Sequence, residues 1–104
     1  MGITEAAKIA EVNDALRRGA ANTVITSGVL VLVDVLGLMK RVCEYDELTK
    51  DNDPYGEHDF GSFDWHGEKI FWKIDYYDAS MRYGGDPLSS DCRRVMTVML
   101  ASEY

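Results

Sequence analysis

FGSFDWHGEKIFWKIDYY, residues 60–77, carries the plainest structural pattern in the chain. His66-Gly67 interrupts two runs rich in aromatic and β-branched residues, which predicts an antiparallel hairpin with strands at about 59–65 and 69–77. On the second strand Ile70, Trp72, Ile74 and Tyr76 fall on one face, and Phe71, Lys73, Asp75 and Tyr77 on the other. The first face is wholly apolar or aromatic and calls for a helix layer over it. The second is amphipathic and tolerates water.

Working outward, residues 4–18 read as a helix. Thr4 is its N-cap, Ile9, Val12 and Leu16 form its apolar stripe, and Gly19 stops it. Glu5 at its start and Arg17 and Arg18 at its end suit the helix dipole. NTVIT, at 22–26, is short and β-branched and predicts a strand. The run VLVLV at 29–33 fits strand or helix equally, and as an exposed β-like segment it could pair with a second copy in a homodimer. Val35, Leu38, Met39, Val42 and Tyr45 share a stripe that predicts a helix over about 34–47. Gly84-Gly85-Asp86-Pro87 breaks the chain, and Ser89 or Ser90 is positioned to cap a last helix over about 90–102. Val95, Met96, Val98, Met99 and Leu100 would surround most of that helix. The expectation is a single α+β domain spanning residues 1–104, a small antiparallel sheet with three helices chiefly on one face.

A chain of 104 residues with 46% hydrophobic residues can bury a core without staples. No apolar run approaches the ~20 residues that span a bilayer. The start MGITEAAK has neither the layout of a signal peptide nor a myristoylation pattern, because Ala6 stands where Ser or Thr is needed. Cys43 and Cys92 read as two reduced thiols, so a cytoplasmic location is expected. The net charge of −7 is unevenly spread. Residues 44–91 hold thirteen acids against Lys50, Lys69, Lys73 and Arg82, so that segment alone is −9. Such a surface repels phosphate backbones and excludes direct nucleic-acid binding, while favouring a basic protein partner.

The densest part is DNDPYGEHDFG, residues 51–61. An EF-hand register from Asp51 places Asp53 and Gly56 well but puts Ser62 where a bidentate glutamate is required, so it fails. His58 and His66 could share a strand face, yet eight residues of strand span roughly 26 Å, too far for one ion. No cofactor and no metal are expected; the alternative metal set would be His58, Asp59 and Asp78. An alternative catalytic reading makes His58 a general base beside Glu57 and Asp59, with Asp75 and Asp78 brought near by the hairpin, since residue 58 should lie opposite about residue 75. No nucleophile motif accompanies it. Ordinary loop chemistry explains the same residues without any ligand: Asn52 or Asp53 before Pro54 starts a turn, and Gly56 permits a positive φ.

NDPYGEHDFG (52–61), FWKIDYYD (71–78) and RVMTVMLASEY (94–104) resemble a small bacterial family known as domain of unknown function 3768. A weaker likeness runs through VNDALRR (12–18) and TSGV (26–29), although this chain has VLVLVDVLG where the family tends to carry a Pro-containing link. The resemblance implies a self-contained bacterial domain, frequently carried on plasmids and other mobile elements, with no catalytic residue to carry over. Together with the charge it leads to the expectation of a non-enzymatic inhibitor of anti-CRISPR or anti-restriction type. Its acids would occupy the basic nucleic-acid site of a partner, with Asp51, Asp53, Glu57, Asp59, Asp64 and Glu68 as the binding carboxylates and Tyr55 and Trp65 as aromatic anchors.

Overall fold

A computed structural model describes residues 4–104. In chain order the elements are helix α1 (Glu5–Gly19), strand β1 (Thr23–Ile25), a single helical turn α2 (Ser27–Leu30), helix α3 (Val35–Cys43), strands β2 (Phe60–Trp65), β3 (Glu68–Tyr77) and β4 (Arg93–Leu100), and a closing 3-10 turn (Ala101–Glu103). The hairpin forms as its alternation requires, with Phe60 opposite Lys73 and Trp65 opposite Glu68. Continuing that register puts position 58 opposite 75, as the turn position demands.

The segment expected to be the last helix is instead β4. Its Ser-rich lead-in closes a turn, with Ser89 N donating to Asp86 O at 3.0 Å and Asp91 N donating to Ser89 Oγ at 3.1 Å. The residues that follow, RRVMTVML, include β-branched Val95, Thr97 and Val98, which favour a strand. β4 lies between β1 and β3, so the sheet order is β1-β4-β3-β2. A strand buried on both faces shows no polar alternation, and Met96, Val98 and Met99 are all buried. That is why its apolar residues mimic a buried helix. The sheet is also mixed rather than antiparallel, because β1 runs parallel to β4.

The helices cover the face that carries Ile70, Trp72 and Ile74. Val29, Leu38, Val42 and Tyr45 meet those residues together with Phe63, Met96 and Val98 in one core. Within VLVLV, Val29 is fully buried in α2, whereas Val31 and Val33 on the link to α3 are exposed. α3 is shorter than its stripe suggested. Asp34 caps it, accepting from Gly37 N at 3.0 Å, and Glu44 follows its end. The opposite sheet face carries Phe60, Phe71 and Tyr104 packed edge to face. Glu103 ties the C-terminal turn to α2, accepting from Thr26 Oγ at 2.7 Å and Gly28 N at 3.3 Å; the Thr26 hydroxyl chiefly holds its carboxyl below the ordinary value. Cys43 and Cys92 are free and half-buried, and burial pushes the Cys43 thiol up.

α1 turns its apolar stripe to the core only in part: Ile9 is buried and Leu16 packs against the core, but Val12 is not covered. Val12 is 49% exposed, while Ile9, Ala10, Asn13 and Arg17 are buried. An amide and a guanidinium inside so small a domain need partners, because a buried polar group without one is costly. Their partners outline the candidate site.

Candidate functional site

Asn13 is fully buried and joins three separate segments to α1. Its Nδ2 donates to Glu57 O at 2.9 Å and to Tyr76 Oη at 2.8 Å, and its Oδ1 accepts from Arg94 Nε at 2.8 Å. Tyr76 donates onward to Glu57 Oε1 at 3.0 Å. Arg94 also donates through Nη2 to Pro87 O and stacks 5.2 Å from the centre of the Tyr76 ring. Burial, joined by the hydrogen bond to Glu57, raises the Tyr76 phenol far above its ordinary value and keeps it neutral.

One helical turn on, Arg17 lies 4.9 Å above the Trp72 ring, donates from Nη2 to Tyr45 O at 3.0 Å, and pairs with Asp14 at 3.0 Å. It therefore belongs to the core rather than to a solvated helix end. Asp14 in turn meets His58, whose Nδ1 lies 3.0 Å and 3.1 Å from its two carboxylate oxygens. On the other side His58 Nε2 is 3.5 Å from Asp53 Oδ2, and the His58 backbone N–H donates to Asp53 Oδ1 at 3.2 Å. The backbone at His58 is left-handed, with φ 57°, and that turns the imidazole in towards α1.

The acidic stretch thus divides in two. Asp53, Glu57, His58 and Asp59 are drawn inward, whereas Asp51 and Tyr55 stay exposed, Tyr55 at 82%. Asp64 and Glu68 are exposed at the far end of the hairpin. Trp65 is half-buried and donates its indole N–H to Val33 O at 2.8 Å, so the hairpin tip is pinned to the α2–α3 link. Of the eight residues expected to form one binding surface, Asp51, Tyr55, Asp64 and Glu68 are exposed, and Asp53, Glu57, Asp59 and Trp65 are half-buried.

The residues of the catalytic and metal alternatives are not assembled either. Asp75 pairs with Lys73 at 2.6 Å on the sheet face away from the helices, and that hydrogen bond raises the Lys73 ammonium. Asp78 accepts from Ser80 Oγ at 2.6 Å and from Ser80 N at 3.1 Å within its own turn, which lowers its carboxyl. Both ring nitrogens of His58 face carboxylates of its own chain, whereas a general base needs one nitrogen turned to substrate. Among the described residues, no three His, Cys, Asp or Glu side chains are grouped as the ligands of a metal ion would be.

Asp59 is held differently from its neighbours. Burial first, and then the charge of Glu57, raise its carboxyl above the ordinary 3.8. A carboxyl raised in the folded state favours folding while protonated and loses that advantage as pH climbs through its folded pKa. Asp59→Asn is therefore expected to be more stable than the parent at pH 7, by less than about 1 kcal/mol because solvent screens the site. The gap should close below pH 3.8. Urea unfolding at the two pH values measures it, and an equal gap at both would show that the carboxyl is not under that strain.

The network lies where two helices and a crossover segment close over one face of a four-stranded mixed sheet, which defines a small two-layer α+β domain stitched by a buried polar hub. The chain belongs to the family described as protein of unknown function DUF3768, whose model matches residues 23–103. The matched span includes Glu57, His58, Tyr76 and Arg94, while α1, which supplies Asn13, Asp14 and Arg17, precedes it. No curated protein and no solved structure matches the chain significantly. Among the described residues, no helix is long and apolar enough to cross a membrane.

Sequence reasoning missed Asn13, Asp14, Arg17 and Arg94. Ile9, Asn13 and Arg17 recur every four residues, so a helix face was legible, but two of its three members are polar and the apolar stripe one residue away outweighed them.

Proposed function

We propose that the chain is a non-enzymatic interaction protein of the bacterial cytoplasm, an inhibitor of anti-CRISPR or anti-restriction type whose anionic surface occupies the basic nucleic-acid site of a protein partner. The observation that carries this reading is the segment from Glu44 to Tyr55. Glu44, Asp46, Glu47 and Asp51 are exposed there alongside Tyr55, with Lys50 the only exposed base between them. The segment is ordered by its own contacts. Asn52 donates to Glu47 O at 2.7 Å and accepts from Thr49 N at 2.7 Å, and Arg41 pairs with Glu47. A surface already fixed loses little conformational freedom on binding, which favours affinity. Carboxylates so held can stand in for phosphates against Arg and Lys, and a protruding tyrosine supplies an anchor. Carboxylates beside both ring nitrogens of His58, Asp14 at Nδ1 and Asp53 3.5 Å from Nε2, favour this reading over catalysis.

The triple variant Glu44→Lys, Asp46→Lys and Asp51→Lys alters exposed positions only, so it should unfold within about 1 kcal/mol of the parent. Its affinity for the partner found by screening CRISPR surveillance and restriction complexes should fall roughly tenfold or more, and the parent's affinity should weaken as salt rises. A partner bound equally well by both proteins at every salt concentration would remove the reading, as would a screen in which no complex binds.

A further inference from the structure

Arg94 is a half-buried cation that pairs with no carboxylate among the described residues. Its Nε and Nη2 are committed to Asn13 Oδ1 and Pro87 O, its ring contact is with Tyr76, and among the described residues no acid forms an ion pair with it. The other inward-facing arginine, Arg17, has Asp14. Within the hydrogen-bond network the nearest carboxylate to Arg94 is Glu57, reached only through Asn13 and Tyr76. In a chain of net charge −7 such an unpaired, immobilised guanidinium is out of place. Among the described residues Nη1 has no hydrogen-bond partner, and it is not one of the buried unpartnered atoms.

The side chain borders a groove of about 460 Å³ between α1 and the turn before β4. Lys8 lines it and among the described residues makes no ion pair, Val12 and Leu88 give the groove apolar walls, and Ser89 and Ser90 lie along it. Val12 and Leu88, 49% and 43% exposed, are apolar side chains that face solvent here. Among the described residues no acidic side chain lines the groove. Two cations and apolar walls form a site for an anion with a hydrocarbon part. The size falls in the ordinary range for small-molecule sites.

We propose that this groove binds a small aliphatic monocarboxylate, its carboxylate held between Arg94 Nη1 and the Lys8 ammonium and its chain lying on Val12 and Leu88. A carboxylate suits this pair of cations because its two oxygens can accept separate charge-assisted hydrogen bonds, one from Nη1 and one from the ammonium. Inorganic phosphate would satisfy the cations but leave the apolar walls wet. The site is separate from the Glu44–Tyr55 surface, and its occupancy does not depend on the role given to that surface.

The test is a ¹H–¹⁵N titration of the whole chain with acetate, butyrate and hexanoate, beside hexanamide and inorganic phosphate, in low-salt buffer. Hexanoate should shift the amides of residues 88–92 and the Arg94 Nε–H, with affinity rising roughly three- to fourfold per methylene from acetate upward. Hexanamide and phosphate should bind at least about tenfold more weakly than hexanoate. Lys8→Gln and Leu88→Ala change exposed positions and should fold normally, each weakening hexanoate at least about threefold. The proposal is overturned if hexanoate causes no shift at these residues, if phosphate or hexanamide matches it, if chain length is without effect, or if both variants bind as the parent does.

Discussion

Asn13→Ala is expected to lower the unfolding free energy by about 3 kcal/mol or more, although it removes no hydrophobic contact of any size. The amide makes three internal hydrogen bonds, to Glu57 O, Tyr76 Oη and Arg94 Nε, and each joins the fully buried Asn13 to a half-buried partner. Truncation leaves all three short of a partner at about 1–3 kcal/mol each, and local relaxation recovers part of that. Val12→Ala, one residue away on the stripe that looks apolar, should change stability by less than about 0.5 kcal/mol, because Val12 is 49% exposed. Chemical denaturation of the two variants side by side reverses the ranking that hydrophobicity would assign. The loss should also be local: amide exchange across residues 53–59 should accelerate more than exchange in β3 and β4, since the Asn13 amide holds the Glu57 backbone to α1. An Asn13→Ala protein within about 1 kcal/mol of the parent, with exchange at 53–59 unaltered, would mean that the hub does not hold the acidic segment in place.

How far the sequence could be read follows from where water lies. The hairpin was legible because β3 has one covered face and one amphipathic face, so its residues alternate, and the His66-Gly67 turn then set the register through to position 58. β4 was not, because both its neighbours are strands and both its faces are largely covered, which erases the alternation and leaves an apolar run that suits a helix equally well. α1 was placed correctly in the chain, with Ile9 and Leu16 turned inward as their spacing requires. Its buried face was legible only in part, since Asn13 and Arg17 are buried through partners that are distant in sequence: Glu57, Tyr76, Arg94 and Tyr45. No local pattern encodes those pairings. The same cause explains the acidic stretch. From the sequence Asp53, Glu57 and Asp59 look as solvated as Asp51, and only the left-handed turn at His58 and the polar face of α1 separate them.

Gly61→Ala should cost about 3 kcal/mol, against a local preference that points the other way. Within a strand, alanine in place of glycine ordinarily helps by reducing the freedom of the unfolded chain. Here a Cβ on residue 61 would sit 2.4 Å from Trp72 Nε1 and 2.5 Å from Cε2. The indole cannot retreat. It is fully buried, lies under the Arg17 guanidinium, and meets the Tyr45 ring edge-on at 5.4 Å between centroids. Moving it would disturb Arg17, and with Arg17 the Tyr45 carbonyl and Asp14 that it binds, so strain at one strand position reaches the floor of the polar hub. Pairing the substitution with Trp72→Phe isolates the cause. The smaller ring vacates the space the methyl needs, so although Trp72→Phe is itself destabilising, adding Gly61→Ala to it should cost less than about 1 kcal/mol, a coupling of about 2 kcal/mol between the two positions. Equal costs of Gly61→Ala in the two backgrounds would assign the loss to the backbone and not to contact with the indole. A gain in stability from Gly61→Ala alone would show that Trp72 does not lie against this strand as described, and the packing that carries Arg17 would have to be redrawn.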